Sequence, residues 1–471
     1  GKEDIAGQIH AALLANVTGR PVKLLFDRKE SLLVHPKRHA TQITVKLGVK
    51  QDGHLTAART LLYGDTGAYA SLGDKVMTRA TTHSAGCYVI PHTKADCYAM
   101  FTNNPPSGAF RGFGVIQASF AIESMMDMLA RQLGLDPFAF RRMNALRTGT
   151  RTNTNQLLVD SVGLVECLDK VEAKLHEVAG DKPFEPERIT REGGEFVRTW
   201  GVAAAFKNTG LGSGADDSSG AIVELQPNGQ YDVRSSAAEL GQGLVTVLRM
   251  IVAYELDADP ADVQVHVMDT DHAPDGGPTT ASRQTYVTGN ASKFAARAFR
   301  QKIVEFLADH FGLDREEIQF MNSQVRAGDQ SFDLQALYQL MTAEGIATAE
   351  TYRYSAPATE PLGTDGDIHF AFSFAVQAVQ IEINLETGEI QVLHVITAND
   401  AGEVINPLGF NAQVEGGTVM GVGHALMEEV LLEEGHNLTE GFRQYHIPGI
   451  MDTPKIDTFP VEAPTHDGPD R

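Results

Sequence analysis

The sequence predicts an α+β fold in two domains, on three observations. Strand-like alternation recurs as hairpins around tight turns, apolar stripes at helical spacing lie between the hairpins, and one proline- and charge-rich stretch divides the chain. In order, Ile43–Leu47 and Leu55–Leu62 alternate around Asp52-Gly53, a turn suited to a hairpin. Phe120, Ile122, Met125, Met126, Leu129 and Leu133 then form one stripe, predicting a helix over Ile116–Leu133. Gly180–Gly194, with Pro183 and Pro186, reads as a linker between domains at 1–180 and 195–471. Beyond it, Ala221–Leu225 and Tyr231–Ser235 flank Asn228-Gly229, and helices are predicted over Leu244–Leu256 and Ala291–Phe311. A third hairpin, Val379–Asn384 with Ile390–Ile396 around Thr387-Gly388, precedes a helix over Ala412–Leu426. The recurrence fits related halves, or simply the commonness of hairpin turns.

Composition narrows the function. The chain has 471 residues, 42% hydrophobic and 21% charged, which is ordinary for a protein with a sizeable core. Its 39 basic and 61 acidic residues leave a net charge of −22, which repels phosphate backbones and anionic lipid and so disfavours nucleic acid and membrane surfaces as partners. The apolar segment Leu244–Leu256 is interrupted by Arg249 and Glu255, and no run is long enough to span a bilayer. Three cysteines, Cys87, Cys97 and Cys167, are too few and too poorly spaced for an iron–sulfur cluster, a zinc knuckle or a disulfide framework, and fit a reducing cytoplasm. No P-loop, zinc-binding His-Glu-x-x-His or hydrolase Gly-x-Ser-x-Gly motif occurs. Gly210-Leu211-Gly212-Ser213-Gly214 resembles a dinucleotide fingerprint only loosely and reads as a flexible loop.

Four unusual turns remain: Gly108–Gly114, Gly241-Gln242-Gly243, Pro278–Thr285 and Asn411–Gly417. Each precedes or opens a predicted helix, where free N–H groups and the positive dipole end favour an anion and glycine lets the backbone approach it. Together they suit a large, multiply anionic cofactor. Taken singly, each is more often an ordinary turn or cap. Gln242 and Gln413 offer donors and acceptors that suit heterocycle edges. Arg111, between Phe110 and Phe113, requires either a bound anion or a carboxylate partner.

These motifs carry a resemblance. Lys2-Glu3, Phe26-Asp27-Arg28-Lys29-Glu30, the Phe-Arg-Gly-Phe-Gly of 110–114, Glu239-Leu240-Gly241-Gln242-Gly243, Thr280–Thr285 and Asn411–Gly416 together resemble, in collinear order, the molybdenum-binding subunit of the molybdenum hydroxylases, the xanthine dehydrogenase and aldehyde oxidase family. The resemblance implies two molybdopterin-binding domains, at 1–180 and, C-terminally incomplete, at 195–471, with the cofactor between them. It implies a Mo-molybdopterin cofactor, in the plain or cytosine dinucleotide form, with almost no direct protein ligand to the metal. The reaction implied is hydroxylation of a heteroaromatic carbon, a xanthine- or hypoxanthine-like purine being favoured. Water is the oxygen source, and electrons leave through [2Fe–2S] clusters and FAD on partner subunits or domains of a hetero-oligomer. Position by position, Phe110, Arg111, Gly241, Gln242, Ala281, Ser282 and Gln413 match cofactor contacts. Glu3 and Arg79 match residues flanking a bound purine, the arginine stabilising charge developed on the ring, and Phe113 matches a ring stacked on substrate.

Two departures qualify the resemblance. Ser213 or a neighbouring glycine stands where purine-oxidising members place a second stacking phenylalanine. The family's general base, a glutamate, is expected beyond Arg471, and Gly1-Lys2-Glu3 resembles the tail of a glycine-rich loop near the metal, so the segment by itself is expected to be inactive. The alternatives are an aldehyde, nicotinate or aryl-CoA oxidoreductase of the same family, or a non-catalytic anion-binding scaffold.

Overall fold

The computed structural model describes residues 5–463 and 468–469. The elements run α1 (Ile5–Thr18), α2 (Arg28–Val34), β1 (Thr41–Val49), β2 (Leu55–Gly67), α3 (Gly73–Thr82), β3 (His92–Phe101), α4 (Val115–Leu133), α5 (Pro137–Asn144), α6 (Leu164–Ala179), β4 (Glu187–Arg191) and β5 (Gly194–Thr209). They continue through β6 (Ser218–Leu225), β7 (Tyr231–Ser235), α7 (Leu244–Leu256), β8 (Val263–Val267), α8 (Gln284–Phe311), β9 (Ile318–Met321), β10 (Gln324–Ala327), β11 (Gln330–Asp333), α9 (Leu334–Ala343) and β12 (Ala349–Ser355). The last are β13 (Ala371–Asn384), β14 (Ile390–Asp400), α10 (Pro407–Leu426), β15 (Leu432–Glu433), β16 (His436–Asn437), α11 (Phe442–Tyr445) and β17 (Lys455–Val461). The architecture is α+β, as expected.

Two compact units form, neither of them a continuous half of the chain. Among the described residues the first gathers 5–207, 373–401 and 414–463, the second 208–372, 402–413 and 468–469. The expected division at 180–194 is therefore corrected. That stretch contains β4, which pairs antiparallel with β5, and the third hairpin returns to complete the same sheet, ordered β17-β14-β13-β5-β4. Proline and charge mark solvent exposure, and an edge strand shows that composition as readily as a linker does.

In the first unit, β1 and β2 form the expected hairpin, and β3 adds to β2 in parallel. Helices α3 and α4 pack on this sheet. A buried ionic network joins the parts: Arg141 Nε donates to Glu123 (2.9 Å), Tyr88 Oη donates to the other oxygen of that carboxylate (2.5 Å), and the backbone N–H of Ala204 on β5 completes it (2.9 Å).

His39, just before β1, is also buried, and neither ring nitrogen has a hydrogen-bond partner among the described residues. Burial, aided by the charge of Arg38 and opposed by Asp65, pushes its pKa down to about 4. The folded chain therefore keeps this ring neutral while the unfolded chain protonates it below about pH 6.5. Stability contributed by neutral His39 is full above about pH 6.5 and falls as pH drops toward 4, by roughly 2–3 kcal/mol in all. Chemical denaturation of His39→Gln beside the parent at pH 7.5 and 4.5 is expected to show a weaker pH dependence in the variant. Equal slopes would remove His39 as the cause.

In the second unit, the sheet β12-β6-β7-β8 packs against α7 and α8 over a core that includes Val223, Leu225, Tyr231, Val233, Phe299, Ile303 and Leu307. Helix α7 spans the predicted residues. Helix α8 starts seven residues earlier than expected, because residues 287–293 are all buried and show no amphipathic period. Gly289 lies there, where a Cβ would sit 3.1 Å from Ile251 of α7. The 210–214 loop is packed, not flexible: a Cβ on Gly210 or Gly212 would overlap the Phe370 or His369 ring (2.2 and 2.0 Å).

Candidate functional site

Each unit gathers part of the expected site. In the first, Gly112, Phe113 and Gly114 have φ of 94°, 45° and 89°, three successive left-handed residues. Phe113 is strained there, as bulky L-residues rarely adopt that region. Gly114 is demanded by contact as well, because a Cβ would lie 2.2 Å from Val76 O and 2.9 Å from Ala80 N. Only glycine lets the 110–114 loop rest directly on α3, the helix that carries Arg79. The structure thus sets the loop that carries Phe110, Arg111 and Phe113 against the helix that carries Arg79. The Arg111 guanidinium lies over Gly416 and Gly417 of α10, about van der Waals distance (3.6 and 3.5 Å) from where their Cβ atoms would be.

Burial lowers the pKa of the Arg79 guanidinium to about 10, which leaves it charged at neutral pH. Lys207, near the end of β5, shares its surroundings: burial, then the charge of Arg79, push its pKa well below the usual lysine value. Lys207 was not singled out from sequence, although a lysine closing the apolar run Val202–Phe206 was the available signal.

In the second unit, the 239–243 loop is tied to the turn before α8. Thr279 Oγ1 accepts from the N–H of Ala238 (2.8 Å) and from Gln284 Nε2 (2.9 Å), while Gln413 Nε2 reaches Gly241 O at 3.4 Å. Gly241, Gln242, Ala281, Ser282 and Gln413 therefore lie in one neighbourhood. Their donors are not equally available. The Glu239 carboxylate accepts from the N–H groups of Gly241 (2.7 Å), Gly243 (3.1 Å) and Val245 (3.1 Å). Partial burial raises this carboxyl's pKa, but the backbone donors outweigh it and hold the group below the ordinary glutamate range. The start of α7 already holds an anion of its own. Gln242 also turns inward, accepting from Leu240 N (2.5 Å) and donating to Ala238 O (2.8 Å).

The start of α8 differs. Ala281 and Ser282 are both left-handed, with φ of 54° and 53°, and their N–H groups have no acceptor among the described residues. No side chain caps the helix. The strained turn is held by the fully buried Arg283, whose guanidinium donates to Asp217 (2.5 Å), Gly276 O (2.9 Å), Pro278 O (2.9 Å) and Ser218 O (2.7 Å). Strain held this firmly marks functional turns, and free donors at the mouth of a 28-residue helix suit a phosphate-bearing group. The residues therefore fit a pterin phosphate at 281–282 better than at 241–243. Among the described residues no cluster of three or more His, Cys, Asp or Glu could hold a metal ion directly, and no helix is long and apolar enough to cross a membrane. Glu3 lies outside the described residues.

Comparison with known proteins defines the class. Residues 1–145 and 175–454 each match the molybdopterin cofactor-binding domain. A probable xanthine dehydrogenase subunit from Bacillus subtilis (strain 168) is 32% identical over 98% of this chain and 60% of its own length. The nicotinate dehydrogenase large molybdopterin subunit of Eubacterium barkeri is 48% identical over 180 residues, 38% of this chain and 42% of that protein. The aldehyde oxidoreductase structure from Desulfovibrio gigas superposes with a TM-score of 0.82 at 25% identity, over 97% of this chain and 47% of that one. The chain belongs to the molybdenum hydroxylase family of xanthine dehydrogenase and aldehyde oxidase, matching its molybdopterin-binding large subunit. It spans about three fifths of the first relative's length and about half of the solved structure's.

Proposed function

We propose that this chain forms part of a molybdenum hydroxylase acting on a heteroaromatic carbon, with a xanthine- or hypoxanthine-like purine as the favoured substrate. The observation carrying the reading is the strained Ala281-Ser282 turn, braced by Arg283 and with no acceptor for its N–H groups among the described residues. When bound, the molybdopterin cofactor supplies the oxidising centre for a hydroxylation that takes its oxygen from water. Ala281 and Ser282 would receive its phosphate, Gln413 and the 241–242 backbone its heterocycle edges, and Phe110-Arg111 its pterin side. Phe113 would stack on the substrate, while Arg79 with Glu3 would orient it, the arginine stabilising negative charge developed on the ring. The pterin would be plain or extended with cytosine dinucleotide. Electrons would pass to [2Fe–2S] and FAD partners in a hetero-oligomer, a reading supported by relatives named as subunits. Three free cysteines fit a cytoplasmic setting.

The similarity to nicotinate dehydrogenase favours a second reading, an anionic heteroaromatic acid as substrate. The shared electrostatics of Lys207 and Arg79 support it. Metal and phosphate analysis of the holoenzyme purified with its partner subunits tests both readings. Stoichiometric molybdenum with organic phosphate is expected, and protein that stays free of both after reconstitution would end them. Relative turnover of hypoxanthine and nicotinate then separates the two.

A further inference from the structure

We propose that Arg38 is a positioning residue of the cofactor loop, fixing the Arg111–Gly112 peptide by a direct hydrogen bond while stacking on the Phe110 ring. The inference rests on the functional reading above and concerns a residue outside the motifs that carried it.

Arg38 lies 73 positions before the loop, yet its Nη2 donates to Arg111 O at 2.8 Å. The same guanidinium stacks over the Phe110 ring, its central carbon 4.3 Å from the centroid, a cation–π geometry. His424 of α10 meets that ring edge-on at 5.5 Å, so Phe110 is held between a cation and an imidazole. Burial lowers the pKa of Arg38 to about 10, against the opposing charges of Tyr445 and Glu428. Burial, then the influence of the Glu428 carboxylate, raises the pKa of Tyr445. Glu428 is itself confined, since a Cβ on Gly423 would lie 2.2 Å from its Oε1.

A half-buried guanidinium with one direct bond and one stacked ring is restrained by both. The carbonyl it holds belongs to Arg111, and the next three residues are the left-handed run. Locking the 111–112 peptide therefore sets both the direction of the Phe110-Arg111 backbone and the start of the turn that presents Phe113. Without this anchor, the strained run would have a cheaper, relaxed alternative.

The test uses the holoenzyme with its partner subunits, comparing Arg38→Met, Arg38→Lys and Arg38→Gln with the parent. Arg38→Met is expected to keep far-UV circular dichroism but lose about 10-fold or more in molybdenum retained through gel filtration, the usual effect of removing a residue that orients a metal site's contacts. Arg38→Lys, still able to stack and to donate one bond, is expected to recover much of that loss, a rescue that a purely volumetric role would not show. Should Arg38→Met not fold, Arg38→Gln decides, with lowered molybdenum retention expected. Parental retention in a folded Arg38→Met, or in Arg38→Gln where that variant decides, would overturn the proposal. A parent that itself contains no molybdenum would instead defeat the functional reading.

Discussion

Arg283→Met is expected to destabilise the second unit by about 3–5 kcal/mol, the range for removing one partner of a buried, hydrogen-bonded ion pair. The guanidinium is fully buried and satisfies Asp217 and three backbone carbonyls, those of Gly276, Pro278 and Ser218. Methionine replaces the volume and none of the donors, so Asp217 keeps a buried charge with only the Leu211 N–H bond (2.8 Å) remaining among those described. Denaturant unfolding followed in this unit measures the loss. The double variant Arg283→Met/Asp217→Leu should recover part of it, because the orphaned carboxylate is gone. A loss below about 1 kcal/mol would mean that the Ala281-Ser282 turn keeps its shape without the brace, and the strain would then have another source.

Arg79→Ala is expected to lower kcat for a purine about 10²–10³-fold in the holoenzyme, as removal of a group aimed at developing negative charge typically does. The molybdenum content should remain that of the parent, because Arg79 reaches the substrate and not the cofactor in the proposed reading. KM should change much less than kcat if the contact strengthens in the transition state. With a pKa near 10, the side chain is charged throughout the neutral range, so the parent's pH profile should show no ionisation of Arg79 below about pH 9. Steady-state kinetics on hypoxanthine decide the point. Turnover within threefold of the parent would take away the main support for a purine substrate and favour the anionic alternative.

The site was partly legible before any coordinates. The 110–114, 241–243, 280–285 and 411–417 motifs identified the family, because glycines before helices and paired aromatics around an arginine are local patterns. Their division of labour was not legible. Gly241 and Gln242 match cofactor contacts in the sequence, yet Glu239, two residues before Gly241, takes the N–H groups of Gly241, Gly243 and Val245. Arg283 was read as one letter of a motif, and its role rests on Asp217, 66 positions away. Arg38 and Lys207 drew no notice, since nothing next to them in the chain signals what they face.

Local order was written into the residues themselves: three hairpins around their turns, the helix over Leu244–Leu256, and the stripe of α4, each set by side-chain period and turn chemistry over a few neighbouring positions. The division into units, the parallel addition of β3 to β2, the early start of α8 and the charged braces behind both glycine loops were settled by the folded chain. Those features depend on desolvation and on partners distant in sequence, and a buried charge or a strained turn has a low energy only once its partner has been folded against it.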